Sequence, residues 1–196
     1  MYEFIDEERF EVEELYYDFM ESESQDALKD IKELKSMIQK DPDFFDPYIV
    51  LSDYYHADNK PMLAFEILKD GYNRAMKMIL KKGKFPDRLN WMFMENRHII
   101  QMLFQYAMLM WEVGEKDEAL RIFQQLLASN PNDNIGARYA IVAMMEGMAS
   151  MQEYEEKFET KDGYLDANKV EKWFQKAAKK YPDEIGWWFE MEDEES

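Results

Sequence analysis

The sequence contains no cysteine, and only two histidines, six prolines and seven glycines among its 196 residues. The absence of cysteine excludes disulfides, thiolate metal ligands and cysteine nucleophiles together. Because glycine and proline supply most turns, their scarcity favours long helices over many short strands. Hydrophobic residues make up 46% of the chain and aromatic residues 15%, which is enough to bury a sizeable core. We therefore predict an all-α fold.

The sequence also lacks the run of ~20 apolar residues that crosses a bilayer. The first ten residues, MYEFIDEERF, have neither the basic region nor the apolar core of a secretion signal. These absences predict a cytoplasmic protein that has no membrane partner.

Negative charge is abundant but lies at the two ends of the chain, whose net charge is −18. Residues 1–30 hold twelve acidic and two basic residues, a balance of −10. Residues 183–196 hold seven acidic residues and no basic one, and the centre of the chain is left at −1. Without a large basic surface, we expect no nucleic-acid partner.

The stretch from Ile100 to Asp133 has the pattern of two helices joined by a tight turn. Apolar residues recur at helical spacing, Gly114 interrupts the pattern, and a second periodic run covers residues 117–131. The small residues Ala107 and Ala119 fall where two packed helices would approach each other closely. The pattern predicts an antiparallel helical hairpin.

This stretch resembles a tetratricopeptide repeat, a 34-residue helical hairpin with small residues at set positions and a proline near its end. A second stretch repeats the pattern with Ala64 and Gly71 at small positions, and a third carries an insertion at residues 150–165. The resemblance implies a right-handed stack of antiparallel helical hairpins, that is, an α-solenoid. Its hairpins are expected at about residues 45–80, 88–130 and 134–181.

Two terminal segments flank the predicted repeat domain, which covers residues 26–182. Residues 1–25 form an acidic segment with an amphipathic helix at about residues 7–21, which we interpret as packed on the solenoid in preference to a free partner-binding arm. Residues 183–196 form an acidic tail, whose aromatic side chains we expect to pack on the last hairpin. Within the repeat domain, an unusually long helix is predicted at about residues 87–113.

The resemblance also implies a concave groove lined by the first helix of each hairpin. The corresponding positions are apolar, aromatic and methionine-containing, which suits a peptide or helix of a partner protein. An alternative interpretation assigns the same side chains to the core, covered by the terminal helices. The groove does not match family members that grip a peptide C-terminus with Lys and Asn, because Asp53, Phe104 and Met108 stand at the compared positions. The predicted partner-binding residues are Phe104, Gln105, Met108, Trp111, Arg138, Tyr139 and Val142.

The sequence shows no spacing typical of a catalytic or metal site. His56 and His98 lie in different predicted helices and lack the i, i+4 partner of a helical metal site. Adjacent acids such as Glu13 and Glu14 point away from each other on a helix, so they do not form an acid and base pair. A glycine-rich phosphate loop is also missing. We expect no catalytic activity, no cofactor and no bound metal.

These observations predict a non-catalytic adaptor that binds a protein segment in the groove, with a self-associating structural subunit such as a homodimer as the alternative and an enzyme as a distant third. A charge at Met108 or Trp111 should abolish binding if these residues line the groove, and unfold the protein if they are core. We further hypothesise that an acidic end docks on a basic cluster, at residues 74–88 or 169–180, and limits access to the groove. Deleting residues 183–196 should then raise partner affinity or shift the oligomer in a salt-dependent way.

Overall fold

The computed structural model describes residues 1–22, 24 and 26–195, with side chains described as far as Met191. Regular secondary structure in these residues is helical, accompanied by three isolated bridges, so the prediction of an all-α fold is confirmed. Short 3-10 turns lie at Met94–Asn96 and Ala178–Lys180, and a π-helical turn lies at Pro182–Gly186. The α-helices are α1 (Phe10–Glu21), α2 (Ala27–Lys40), α3 (Asp46–Ala57), α4 (Pro61–Ile79), α5 (Arg97–Glu112), α6 (Lys116–Ser129), α7 (Ala137–Met145), α8 (Met151–Phe158), α9 (Ala167–Ala177) and α10 (Trp187–Glu195).

Tertiary contacts divide the chain into two compact units, unit 1 (Met1–Tyr106) and unit 2 (Ala107–Ser196). The boundary falls inside α5, where the sequence pattern shows no break. The sequence had instead indicated one repeat domain between two terminal segments.

Unit 1 contains a helical hairpin, in which α3 and α4 pack together across a turn at residues 58–60. Both helices carry a proline in the first turn, Pro47 and Pro61, where the missing N–H would have no helical partner. α2 packs on α3, and α1 packs on α2 with Val12 and Phe19 buried, so α1 is not a free arm. Gly71 lies in α4 at a close approach, as the repeat pattern predicted, since a Cβ there would lie 2.6 Å from Met102 Cε.

The prediction of one long helix at residues 87–113 is wrong in its first part, because α5 begins only at Arg97. The N-terminal segment takes up the main chain that such a helix would use. The Phe4 N–H donates to the carbonyl of Arg88 at 3.0 Å, and the Asp87 N–H donates to the carbonyl of Tyr2 at 2.8 Å. These bonds take up main-chain groups of residues 87 and 88 that a helix starting there would use.

Asn96 also makes hydrogen bonds to the N-terminal segment. Its side chain is fully buried, accepts a hydrogen bond from the Asp6 N–H and donates one to the carbonyl of Phe4, each at 3.0 Å. The Lys81 ammonium lies 5.3 Å from the centroid of the Tyr2 ring. The acidic N-terminal segment therefore lies beside a basic stretch. Hydrogen bonds of main-chain groups and of the Asn96 side-chain amide hold it there.

Unit 2 begins with the end of α5 and turns at Gly114 (φ 86°) into α6. α6 packs on α7, and α7 contacts α9. The predicted insertion contains α8, whose Tyr154 and Phe158 are buried beside the ring of Trp173 in α9. The insertion is therefore part of the folded unit.

The C-terminal segment completes the core of unit 2. Ile185 is fully buried and Trp188 is 4% exposed. The Trp188 Nε1–H donates to the carbonyl of Pro131 at 2.8 Å, and the ring of Phe189 stacks on Phe174 with centroids 5.6 Å apart. The tail thus packs on α9, as the sequence predicted.

Candidate functional site

The seven predicted partner-binding residues differ widely in exposure. Trp111 and Val142 are fully buried, and Phe104 is 7% exposed. These three side chains therefore belong to the core. The remaining four are half-buried, namely Gln105, Met108, Arg138 and Tyr139.

Trp111 is a core residue of unit 2. Its Nε1–H donates to the carbonyl of Met148 at 2.9 Å, and its ring meets Phe123 edge-on at a centroid distance of 6.5 Å. Both the polar and the apolar parts of this side chain are used within the unit. A charge at Trp111 is therefore expected to unfold unit 2, as the core interpretation predicted.

Arg138 is surrounded by groups of its own chain. Its Nη1 lies 2.9 Å from Asp133 Oδ2, and its Nη2 donates to the Tyr139 hydroxyl at 2.8 Å. The guanidinium carbon lies 4.3 Å from the centroid of the Tyr139 ring and 4.9 Å from that of Trp188. Asp133 also caps α7 by accepting a hydrogen bond from the Ala137 N–H at 2.7 Å. Arg138 thus lies against Trp188 of the C-terminal segment, where a partner is predicted from the sequence.

An open cleft of about 560 Å³ lies in unit 1, between α1, the start of α3 and the residues around the start of α5. In its wall, the Tyr16 ring packs edge-on against Phe44 at a centroid distance of 5.7 Å. Its rim exposes large apolar side chains, since Phe10 is 66% exposed, Tyr17 58% and Met94 65%. The cleft is made by three segments that are far apart in the sequence, which is why sequence analysis missed it.

The cleft carries an excess of negative charge, with four carboxylates and one guanidinium in its lining. Arg97 also lines it, but its Nε donates to the carbonyl of Trp91 at 3.2 Å and its guanidinium carbon lies 5.2 Å from the Trp91 ring centroid. Within the described part of the chain, no ion pair involves any of the four lining carboxylates. They are those of Glu8, Glu13, Asp46 and Glu95.

Asp46 is the carboxylate of this cleft with a buried oxygen. Its Oδ1 accepts no hydrogen bond from a described residue. Burial raises the pKa of Asp46 to about 6, while His98 acts in the opposite direction and Glu13 adds to the increase. Burial of its own side chain also raises the pKa of Tyr16, and the negative charge of Asp46 adds to this increase. Asp46 therefore adds a half-buried acidic group to the cleft lining.

A buried polar network fixes the wall of the cleft behind Asp46. His98 Nδ1 accepts a hydrogen bond from the Phe45 N–H at 3.1 Å, and His98 Nε2 lies 2.9 Å from Asp6 Oδ2. Arg9 pairs with both Asp6 and Asp41, at 2.7 Å in each case. Because both ring nitrogens of His98 are occupied, this residue positions the wall and has no nitrogen left for proton transfer or metal binding.

Comparison with known proteins assigns this chain to no group, since no protein-family model, curated protein or solved structure matches it. None of the described helices combines the length and the apolar composition that a membrane span needs. Among the described residues, acidic and histidine side chains form no group of three or more arranged to hold a metal ion. The candidate site therefore depends on the shape and charge of the unit 1 cleft.

Proposed function

We propose that this protein is a non-catalytic interaction module that binds a segment of a partner protein in the unit 1 cleft. The observation that carries the proposal is the rim, where Phe10, Tyr17 and Met94 are each more than half exposed. Large apolar side chains grouped on one surface typically mark a site of protein contact. Aromatic rings supply contact area, and methionine adapts to varied partner shapes.

The proposal moves the binding surface away from the groove that the repeat resemblance implied. Trp111 and Val142 are buried, and Arg138 is engaged with Trp188. The resemblance to tetratricopeptide repeats stays part of the proposal, and the close approach at Gly71 in the α3 and α4 hairpin supports it. Paired helices of this kind present extended surfaces on which partner segments are bound.

A binding role accounts for the polar groups of the cleft better than a catalytic one does. A general base must be free to take a proton from a bound substrate. His98 is held at both nitrogens, and its partner Asp6 is also paired with Arg9. These groups stabilise the wall, which leaves the carboxylates and the rim for recognition.

The rim can be tested with charge substitutions that a folded surface tolerates. We expect Tyr17→Asp and Met94→Asp to retain bound proteins from a native extract at least about tenfold less well than wild type, because each places a charge in an apolar contact. Met62→Asp is the matched control, since Met62 is 69% exposed on α4 and does not line the cleft. Quantitative mass spectrometry of the retained proteins measures the difference. Retention of the same proteins by all four forms would contradict the proposal.

Self-association is the competing use of the same rim. If the partner were a second copy, the mass measured by light scattering would rise with concentration. Met94→Asp would then remain monomeric, whereas Met62→Asp would still associate. That outcome would assign the rim to a homo-oligomer and remove the proposal of a different partner protein.

A further inference from the structure

We propose that the segment bound in the unit 1 cleft is basic and amphipathic, with a lysine or arginine that reaches Asp46 and apolar side chains that rest on the rim. This inference rests on the proposed function and specifies the chemistry of the partner. Three features of the cleft support it: its excess of negative charge, the half-buried carboxylate of Asp46, and its aromatic walls.

The charge of the cleft favours a cationic occupant. Its four carboxylates form no ion pair with described residues, and its one lining arginine, Arg97, is held by Trp91. Four carboxylates against one guanidinium leave a negative excess, and field lines concentrate in such a concave surface, which speeds the approach of a partner of opposite sign. The same charges repel an acidic segment or a phosphate backbone.

The half-buried carboxylate of Asp46 indicates where the positive group is bound. An ion pair that is partly shielded from water is stronger than one on an open surface, and a charged N–H donor makes a stronger hydrogen bond to a carboxylate than a neutral donor does. Glu13 lines the same cleft and adds a second negative charge near this position. A lysine or arginine head group therefore meets both a hydrogen-bond acceptor and a favourable potential.

The walls suit the apolar stem of such a side chain. The rings of Tyr16 and Tyr17 lie 6.1 Å apart with an interplanar angle of 60°, and Trp91 lines the cleft as well. Lysine and arginine lay their methylene stems on apolar surface, and their charges are attracted to aromatic faces. Within the cleft, Arg97 already lies over the Trp91 ring in this way. A small polyamine would leave the exposed rim uncovered, whereas an amphipathic segment covers it.

Fluorescence anisotropy with defined peptides tests the inference on the full chain. The probe is a fluorescein-labelled helical peptide built from Leu and Lys, and its matched peptide has Glu in place of every Lys. We expect the Lys peptide to bind and the Glu peptide not to bind. Asp46→Asn should weaken binding of the Lys peptide by about tenfold or more. Asp53→Asn is the matched control, because it removes the same charge from an exposed position of α3 outside the cleft.

Acidification provides a second readout. Because burial raises the pKa of Asp46 to about 6, this residue is ionised at about pH 7.5 and mostly protonated at about pH 5. Affinity for the Lys peptide should therefore fall over this interval more steeply in wild type than in Asp46→Asn. An equal fall in both forms would assign the pH dependence to another group. The other charged or titratable groups that line the cleft are Glu8, Glu13, Tyr16, Tyr17, Glu95, Arg97 and His98.

Three results would overturn the inference. Equal affinity for the Lys and Glu peptides would remove the charge argument, and equal losses in Asp46→Asn and Asp53→Asn would show attraction to the acidic chain as a whole. A peptide with Ser in place of Leu that bound equally well would assign the cleft to polyamine-like cations. If Met94→Asp still lost its partners in any of these cases, the proposed function would stand. Only the inference that the bound segment is basic would be overturned. If Met94→Asp kept all its partners, both would fall.

Discussion

Asp46 is subject to two opposing local effects. Its place in the first turn of α3 favours the carboxylate, because a helix N-terminus carries partial positive charge. Burial opposes ionisation and raises its pKa to about 6. At pH values between the unfolded pKa of about 3.9 and the folded pKa, such a group binds more protons in the folded state than in the unfolded state. Its contribution to the stability of unit 1 therefore decreases as pH rises through that interval.

Replacing this carboxylate should stabilise the protein at neutral pH. We expect Asp46→Asn to raise the free energy of unfolding by about 2 kcal/mol at pH 7, with the gain disappearing below about pH 4. Denaturant unfolding at a series of pH values measures both. Asp18→Asn, at an exposed position of α1, controls for the general relief of negative charge. A variant less stable than wild type at pH 7 would show that ionised Asp46 stabilises the fold.

Single residues also show where sequence reasoning had a usable signal. Arg9 is the only basic residue before Lys29 in an acidic stretch, and such isolation marks it as a candidate for a buried ion pair. Its side chain pairs with Asp6 and with Asp41, which is 32 positions away. The nearer partner was within reach of sequence reasoning. The pairing with Asp41 depends on how α1 packs on α2, and no local pattern encodes that.

At the scale of helices, α4 contains a glycine where helix propensity alone would prefer alanine. Alanine normally stabilises a helix interior by about 1 kcal/mol relative to glycine. At Gly71, however, a Cβ would lie 2.6 Å from Met102 Cε and 3.3 Å from the Tyr48 ring. Both neighbours are fully buried, so any shift of the Met102 side chain has to be absorbed within the core. Close packing therefore outweighs propensity at this position.

We expect Gly71→Ala to lower the free energy of unfolding by about 1–2 kcal/mol, because the added methyl group overpacks this contact. Met102→Leu removes the terminal methyl group that the new Cβ would meet. The double variant should therefore be less destabilised than the sum of the two single changes, as a double-mutant cycle in thermal unfolding would show. A stabilised Gly71→Ala would mean that Met102 moves away at no cost.

The helices that sequence analysis placed well have strong periodicity and clear boundaries. α3 and α4, for example, lie within the hairpin expected at residues 45–80, and each has a proline in its first turn, which is a local signal. The failure before α5 has a non-local cause, because the N-terminal segment takes up the main chain at residues 87–88. α8 was missed because its sequence is mostly polar, with only Tyr154 and Phe158 buried on one side.

At the scale of the whole molecule, the C-terminal segment is integral to unit 2. Deleting residues 183–196 was expected to open a groove. Because Ile185 and Trp188 are buried and Trp188 lies over Arg138, the deletion would instead remove part of the core. The sequence indicated that aromatic side chains of the tail would pack, but not how deeply.

Substitution of two adjacent tryptophans tests whether the C-terminal segment is part of the core or a removable cover. We expect Trp188→Ala to destabilise the protein by about 3–5 kcal/mol, because it leaves a cavity and an unpaired carbonyl at Pro131. Trp187→Ala is the matched control, since Trp187 is 38% exposed and should cost less than about 1 kcal/mol. Hydrogen exchange of the α7 and α9 amides, together with thermal unfolding, measures the two effects. Equal and small effects would restore the idea of a removable cover.

Some residues predicted to line the groove are buried, for a reason that applies to any single-sequence analysis of helical hairpins. Periodicity identifies the face of a helix that packs on its partner, but both faces of α7 are covered. Val142 is fully buried and Arg138 lies under Trp188. Whether a distant segment covers the second face depends on tertiary structure. The all-α fold followed from composition, whereas the unit 1 cleft required the folded arrangement of α1, α3 and α5.

The boundary between the two units has a practical consequence for anyone who dissects this protein. Residues on both sides of Tyr106 are helical without interruption, as α5 extends from Arg97 to Glu112. A protease that needs an unfolded substrate would find no accessible loop at that point. Fragments expressed from either side would each end in half a helix with unsatisfied backbone amides or carbonyls. Recombinant work should therefore keep the polypeptide whole and compare substitutions, not truncations.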